Sequence, residues 1–252
     1  MREALQLLKH HYFDKPRYFR RTAIRYEGLD DLQEEIISEV NSKGYYILKE
    51  FFSSEVVANM RLMALEREKS LIGSERHISN PDFGVDRYLR FDEFNEYSEF
   101  FNEYFDQIGK NYFGGLGVRF QSMFERKGAP SKKSSADVPH FDDWRKRFKI
   151  FLYLNDVTDA NCPFVVYENS LTEYVGRKYK EIEYVLGRKL SAYGHLCENE
   201  ERALLANKNV QKVKITGKAG TIIFVDTRFV HKGTASLDGS QRYLLGSYYD
   251  MR

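Results

Sequence analysis

The sequence predicts an α+β protein whose core is mainly β, a sandwich or barrel of strands backed by helices. Three observations carry this. Apolar residues recur at helical spacing through the first half of the chain. From Val118 onward they alternate, or run in short blocks bounded by turn residues, as strands do. The chain also holds 18 Tyr and 19 Phe in 252 residues, a load that favours half-buried pleated surfaces. Helices first and strands afterwards fit a helix-backed sheet architecture.

Residues 1–28 are basic and aromatic. Lys15, Arg17, Arg20, Arg21 and Arg25 interleave with Tyr12, Phe13, Tyr18 and Phe19. This is expected to be an extension packed on the main domain with its charges solvated. The same pattern also suits peripheral contact with the inner face of a membrane. Asp30 and Asp31 can cap a helix running to about Ser42, with Leu32, Ile36, Ile37 and Val40 on one face and Gly44 as its stop. Tyr45-Tyr46-Ile47-Leu48 reads as a buried strand. Ser53 or Ser54 caps a second helix, whose apolar residues are Val56, Val57, Met60, Leu62, Met63 and Leu65. Residues 70–92 are expected to be irregular, because Gly73, Asn80-Pro81 and Gly84 break the pattern. Phe94, Tyr97, Phe101, Phe105 and Ile108 predict a helix over 93–112, ended by Gly114, Gly115 and Gly117.

Strands are then expected at 118–124, 149–154, 164–167, 211–215, 221–225 and 242–249. The turn residues between them include Asn155-Asp156, Ala219-Gly220 and Asp238-Gly239. Residues 171–209 read as a charged helical insertion. The whole chain is expected to be one domain, 1–252, with the β core spanning 118–249.

Bulk properties narrow the function. Lys and Arg total 39 against 37 acidic residues, a net charge of +2 that gives no general ground for nucleic-acid binding. Two cysteines, Cys162 and Cys197, exclude a disulfide framework and point to a reducing compartment. No apolar run reaches the roughly 18 residues of a membrane span. The opening MREALQLLKHHYF lacks a signal peptide's apolar segment. A cytoplasmic location follows as the expectation.

The chemistry centres on His140 and Asp142. Residues two apart on a strand share a face, so an imidazole and a carboxylate there can hold one metal ion from one side. His231, from a distant strand, would complete a 2-His-1-carboxylate triad, which leaves open positions on Fe(II). Asp143 faces away from His140 on a strand. His10, His11, His77 and His195 read as structural or surface residues. Arg242 lies eleven residues after His231, across the Asp238-Gly239 turn. An interior Arg needs an anion, either an internal Asp or Glu or the carboxylate of a bound ligand. Lys132, Lys133, Arg145, Lys146 and Arg147 flank the His-x-Asp pair, and Arg87 and Arg90 lie in the segment expected to be irregular. Such a rim suits an anionic small-molecule substrate as well as it suits a solvated surface.

Together these residues resemble the phytanoyl-CoA dioxygenase family of Fe(II)- and 2-oxoglutarate-dependent oxygenases. The resemblance runs from about residue 44 to 249. Gly44-Tyr45-Tyr46-Ile47-Leu48 with Phe51-Phe52-Ser53 is similar to the family's opening strand and helix start. Met123-Phe124-Glu125-Arg126-Lys127 leads to its His-x-Asp. Ala219-Gly220-Thr221-Ile222-Ile223-Phe224, Asp226, His231 and Gly233 are similar to its distal-His strand. Two departures fall in turns: Cys162 replaces a usual Gly, and Glu168-Asn169 replaces Pro-Gly.

The resemblance implies a double-stranded β-helix (a cupin-like jelly roll) backed by N-terminal helices. It implies Fe(II) on His140, Asp142 and His231, with 2-oxoglutarate chelating the iron and Arg242 on its distal carboxylate. Met123 and Phe151 match positions lining the cosubstrate pocket, and Thr234 is placed near the same carboxylate. The implied activity is O2-dependent hydroxylation of an unactivated C–H in a small, anionic substrate, such as an acidic or lipid-linked sugar or an acyl or natural-product intermediate, with succinate and CO2 released. Retention of Asp142 favours hydroxylation over halogenation. Two other classes use the same residues: a non-catalytic jelly-roll binding module and a Zn(II) hydrolase.

Overall fold

The computed structural model describes residues 28–251, apart from 131, 133, 134, 144, 175, 178, 179, 181, 182 and 184–193. The basic aromatic segment 1–27, with His10, His11 and its suggested membrane contact, lies outside the described residues, as does Lys133. No helix among the described residues is long and apolar enough to cross a membrane.

The fold is α+β with a β-rich core of two facing antiparallel sheets. Helix α1 (Asp31–Lys43) opens on a capping box. Asp30 accepts the Gln33 amide at 2.8 Å, and Gln33 accepts the Asp30 amide at 3.1 Å. Ile36, Ile37 and Val40 are its buried face. Gly44 ends it at φ 101°, where an added Cβ would also lie 2.5 Å from the Phe229 ring. Strand β1 (Tyr45–Leu48) follows, then α2 (Ser54–Leu71), capped by the Ser53 hydroxyl. Val57, Met60, Ala64 and Glu68 are buried on α2, whereas Leu62 and Met63 face out.

The structure departs from three expectations. The segment 70–92 is not irregular throughout, because β2 (His77–Asn80) and β3 (Val85–Leu89) form a hairpin within it. Asn80-Pro81 and Gly84 sit in its turn, where Pro81–Phe83 makes a tight 3-10 turn and Gly84 is left-handed, while Gly73 follows α2. Pairing of β3 along β4 (Gly117–Lys127) supplies hydrogen bonds that local propensity does not reveal. The helix expected over 93–112 is confined to α3 (Glu103–Tyr112). Asn102 is extended and its side chain takes the Phe105 amide at 3.2 Å, so the helix starts there.

The remaining strands are β5 (His140–Phe141), β6 (Phe148–Tyr153), β7 (Phe164–Glu168), β8 (Gly194–His195), β9 (Gln211–Ile215), β10 (Ile222–Asp226), β11 (His231–Lys232) and β12 (Arg242–Met251). The larger sheet runs β1-β10-β6-β12-β4-β3-β2 and the smaller β8-β5-β11-β7-β9. The segment 171–209 is not wholly helical. Its described residues include the end of α4 (Ser170–Glu173), helical positions at 176, 177, 180 and 183, strand β8 and α5 (Glu198–Leu205).

Period-two alternation assigns each side chain to a layer. On β6, Phe148, Ile150 and Leu152 pack outward with Phe224, Leu245 and Tyr249 against α1, α2 and α3. Phe151 and Tyr153 point inward with Met123, Ile223, Val225 and Leu244, and meet Val166 and Ile215 of the smaller sheet. Covered on both faces, β10 is buried at every residue. The outer face of the smaller sheet is covered by Tyr174, Leu196 and Leu204, packed on Phe141, Val165 and Tyr167.

Candidate metal centre and cavity

Three of the sequence-predicted residues meet at one point. His140 on β5 and His231 on β11 are register partners in adjacent strands, with ring centroids 4.5 Å apart. Asp142 follows β5 and hangs by its amide from the Thr227 carbonyl at 3.0 Å. All three side chains are buried, and one ligand atom from each lies within 4.8 Å of the others.

The imidazoles are oriented from behind. His140 Nδ1 lies 2.8 Å from the Val138 carbonyl and His231 Nδ1 lies 2.9 Å from the Phe229 carbonyl. A carbonyl can only accept, so both Nδ1 atoms carry the proton. In the neutral ring each Nε2 is then a lone pair. These lone pairs face Asp142 Oδ1 at 3.5 and 3.4 Å. Burial and then the neighbouring His140 push the His231 pKa below 6.5, which favours its neutral form at pH 7. Burial would raise the Asp142 pKa, but neighbouring positive charge, the Lys149 ammonium foremost, outweighs it and holds the group well below the usual carboxylate range. Three acceptor atoms thus converge with no proton assigned between them, an arrangement that a cation satisfies.

The triad lines a cavity of about 480 Å³ between the two sheets, within the usual size of small-molecule sites. Strand register lays out its floor in rows. Arg242 pairs with Lys127, and Lys127 with Val85. In the next row Tyr153, Leu244, Glu125 and Arg87 lie side by side. Phe151, Gly246, Met123 and Leu89 follow, then Lys149, Tyr248 and Gln121.

Arg242 is buried in this floor. Its Nη1 donates to the Cys162 carbonyl at 2.7 Å and its Nη2 to Glu125, while its buried Nε has no partner among the described residues. The interior anion that Arg242 needs is therefore supplied, at least in part, by Glu125. That carboxylate also accepts Arg87 Nε at 2.7 Å. Burial works to raise the Glu125 pKa, and the two guanidiniums outweigh it and bring it from 4.5 to about 2. Two guanidiniums share one carboxylate, so the cluster keeps a positive excess that suits a second anion. Beside it the buried Lys127 ammonium pairs with Asp137. Gly233 lies against that pair, where an added Cβ would fall 2.6 Å from Lys127 Nζ and 2.9 Å from Asp137 Oδ1.

The other expected residues are placed as follows. Phe151 lines the cavity. Met123 lies in the same row beneath Gly246, buried, and its sulfur accepts the Tyr248 hydroxyl at 3.6 Å; it is not part of the cavity lining. Thr234 is also off the lining, and its hydroxyl donates to the Pro163 carbonyl at 2.8 Å. Asp143 turns away and binds Arg145 at 2.8 Å. Cys162 and Asn169 adopt φ of 63° and 60°. Both positions need the left-handed backbone that explains a usual Gly there, and Asn tolerates it better than Cys.

Sequence reasoning missed three residues, His195, Glu125 and Lys149, and placed Arg87 only in a basic rim. His195, taken for a structural or surface residue, pairs with His140 across β8 and β5, lines the cavity, and has its ring 5.4 Å from that of His140. Nothing in the local pattern around Gly194-His195 signals this. Glu125 and Arg87 form the Arg242 cluster, and Lys149 pairs with Asp142 Oδ2 while its ammonium sits 4.7 Å from the Tyr248 ring centre. Glu125 and Lys149 did carry a signal, as charges at inward positions of otherwise apolar strands, in phase with Met123 and Phe151.

No protein-family model matches the chain, and no curated protein matches it. Solved structures do. One is the non-heme alpha ketoglutarate dependent carbocyclase SnoK from nogalamycin biosynthesis, at TM-score 0.60 and 17% identity, covering 89% of this chain and 85% of that one. A second is the epimerase SnoN in complex with Fe3+, alpha ketoglutarate and nogalamycin RO, at TM-score 0.61 and 14% identity, covering 86% and 83%. A third is EctD from S. alaskensis with 2-oxoglutarate and 5-hydroxyectoine, at TM-score 0.61 and 14% identity, covering 88% and 76%. At these identities the likeness establishes the fold.

Proposed function

We propose that this chain is an Fe(II)- and 2-oxoglutarate-dependent dioxygenase of the phytanoyl-CoA dioxygenase kind, hydroxylating a C–H of a small-molecule substrate. The observation that carries the proposal is the convergence of His140 Nε2, His231 Nε2 and Asp142 Oδ1, three buried acceptors without an assigned proton. His140, Asp142 and His231 would hold the iron. When bound, iron with 2-oxoglutarate supplies O2-dependent C–H oxidation with release of succinate and CO2. SnoN, solved with Fe3+ and alpha ketoglutarate, and EctD, solved with 2-oxoglutarate, support the same choice of groups.

The chain's own residues supply position. The Val138 and Phe229 carbonyls fix the two tautomers. Lys149 holds the second oxygen of Asp142, which keeps the carboxylate ionised and oriented. Arg242, with its unpartnered Nε and its shared Glu125, is the seat for the distal carboxylate of 2-oxoglutarate. Phe151, Phe164 and Leu244 line the same cavity and give it an apolar wall.

Anaerobic titration of the metal-free protein with Fe(II) and 2-oxoglutarate tests this. A visible charge-transfer band is expected, lost in His140→Ala and weakened in Arg242→Ala. A folded, metal-binding protein that gives no band refutes the oxygenase reading. Retention of Zn(II) with hydrolytic turnover then supports the hydrolase, and neither activity supports a binding module.

A further inference from the structure

The cavity floor has two cationic ends. Along β6 the inward residues run Tyr153, Phe151 and Lys149, and Arg147 precedes the strand in the same phase. Tyr153 lies at the Arg242 end, and Lys149 stands at Asp142. Arg147 lies two residues beyond Lys149, about 7 Å of strand on the far side of the triad.

The Arg147 guanidinium makes no hydrogen bond to any described residue. Its nearest acidic atoms are Asp143 Oδ2 at 3.7 Å and Asp250 Oδ2 at 3.9 Å. Asp143 is already satisfied by Arg145, whose Nη2, Nε and backbone amide approach it at 2.8, 3.1 and 3.1 Å. The Arg147 Nε is buried with no acceptor. A buried cationic N–H without an acceptor is costly, and such atoms commonly await a ligand.

Arg87, Lys127, Arg147, Lys149 and Arg242 line the cavity with the carboxylates of Glu125 and Asp142. Asp137 stands behind Lys127, and Asp143 and Asp250 stand behind Arg147 beyond hydrogen-bonding distance. Phe120, Gln121 and Tyr248 line the cavity with Arg147 and give that end an apolar and hydrogen-bonding wall.

We propose that Arg147 anchors an anionic group of the substrate, a carboxylate or a phosphate, across the metal triad from Arg242. The word substrate here rests on the oxygenase reading, whereas the anion site itself does not. Arg147 and the triad line one cavity, so a single small molecule can reach both.

The test is calorimetric titration of the full-length, metal-free protein with inorganic phosphate and, separately, acetate, in a chloride-poor buffer. Binding is expected to weaken roughly tenfold or more in Arg147→Ala. It should recover in part in Arg147→Lys. Preference for phosphate assigns a phosphoryl group, and preference for acetate a carboxylate. The anchor is overturned if neither anion binds, or if Arg147→Ala binds like the wild type while melting normally. The iron titration above separates the two claims. A missing charge-transfer band with Arg147-dependent anion binding intact removes the oxygenase and leaves the anchor. A normal band without such binding removes the anchor alone.

Discussion

Replacing Glu125 with Gln isolates the charge that couples Arg87 to Arg242. The carboxylate is buried and receives a guanidinium on each oxygen. The fall of its pKa from 4.5 to about 2 corresponds to about 3 kcal/mol in favour of the ionised form in the folded state. The amide preserves shape but turns an NH2 toward one of the two guanidiniums. Leaving buried Arg242 without its counter-charge brings the expected loss at pH 7 to about 3–5 kcal/mol. Urea denaturation followed by circular dichroism reads this as a drop of about 1 M or more in the midpoint, with unchanged slope. The pH dependence has a fixed sign. A depressed carboxylate stabilises fully above its unfolded pKa of 4.5 and loses that contribution as the pH falls toward 2. Glu125→Gln should therefore lack this part of the acid sensitivity. Added 2-oxoglutarate should stabilise the variant more than the wild type, because Arg242 and Arg87 then lack their internal anion. A variant within about 0.5 kcal/mol of the wild type at pH 7, with the same acid profile, would show that the cluster is not coupled in this way.

Other perturbations follow from the same geometry. Gly233→Ala forces a methyl against the Lys127–Asp137 pair and should cost about 2–4 kcal/mol in chemical denaturation; an unchanged midpoint would mean that the pair moves freely. Cys162→Val places a β-branched residue at φ 63° and should lower stability by about 1–3 kcal/mol, whereas Cys162→Ala should cost less, as melting curves will show. His231 should add no proton competition to divalent-metal binding above pH 6.5, because burial lowers its pKa, and Asp142, held ionised by Lys149, should add none either, so affinity should change little between pH 8 and 7.5. A decline already at pH 7.5, measured by competition with a chromophoric chelator, would contradict that. Tyr112→Phe removes the 2.6 Å hydrogen bond to buried Asp226, three residues from the loop that carries Phe229 and His231, and should cost about 1–2 kcal/mol.

Much of this molecule could be read from local pattern. Asp30, Ser53 and Gly44 end or begin helices through contacts with residues only a turn away, so the caps are written where they act. Alternation along β4, β6 and β12 gives the inward face, and with it Met123, Phe151 and Arg242, because the pleat has a period of two in any strand. His140 and Asp142 share a face for the same reason, and the spacing of His231 and Arg242 follows from one turn. What the tertiary structure decided depends on which strands become neighbours. Glu125 reaches Arg242 across 117 residues of sequence, and His195 faces His140 across 55, through register that no local window contains. The hairpin of β2 and β3 exists because β4 offers it an edge, and it delivers Arg87 to the same carboxylate. Sequence thus set the types and phases of the side chains, since those depend on the backbone within a few residues. Their partners were set by strand pairing, where long-range hydrogen bonding and burial outweigh local preference.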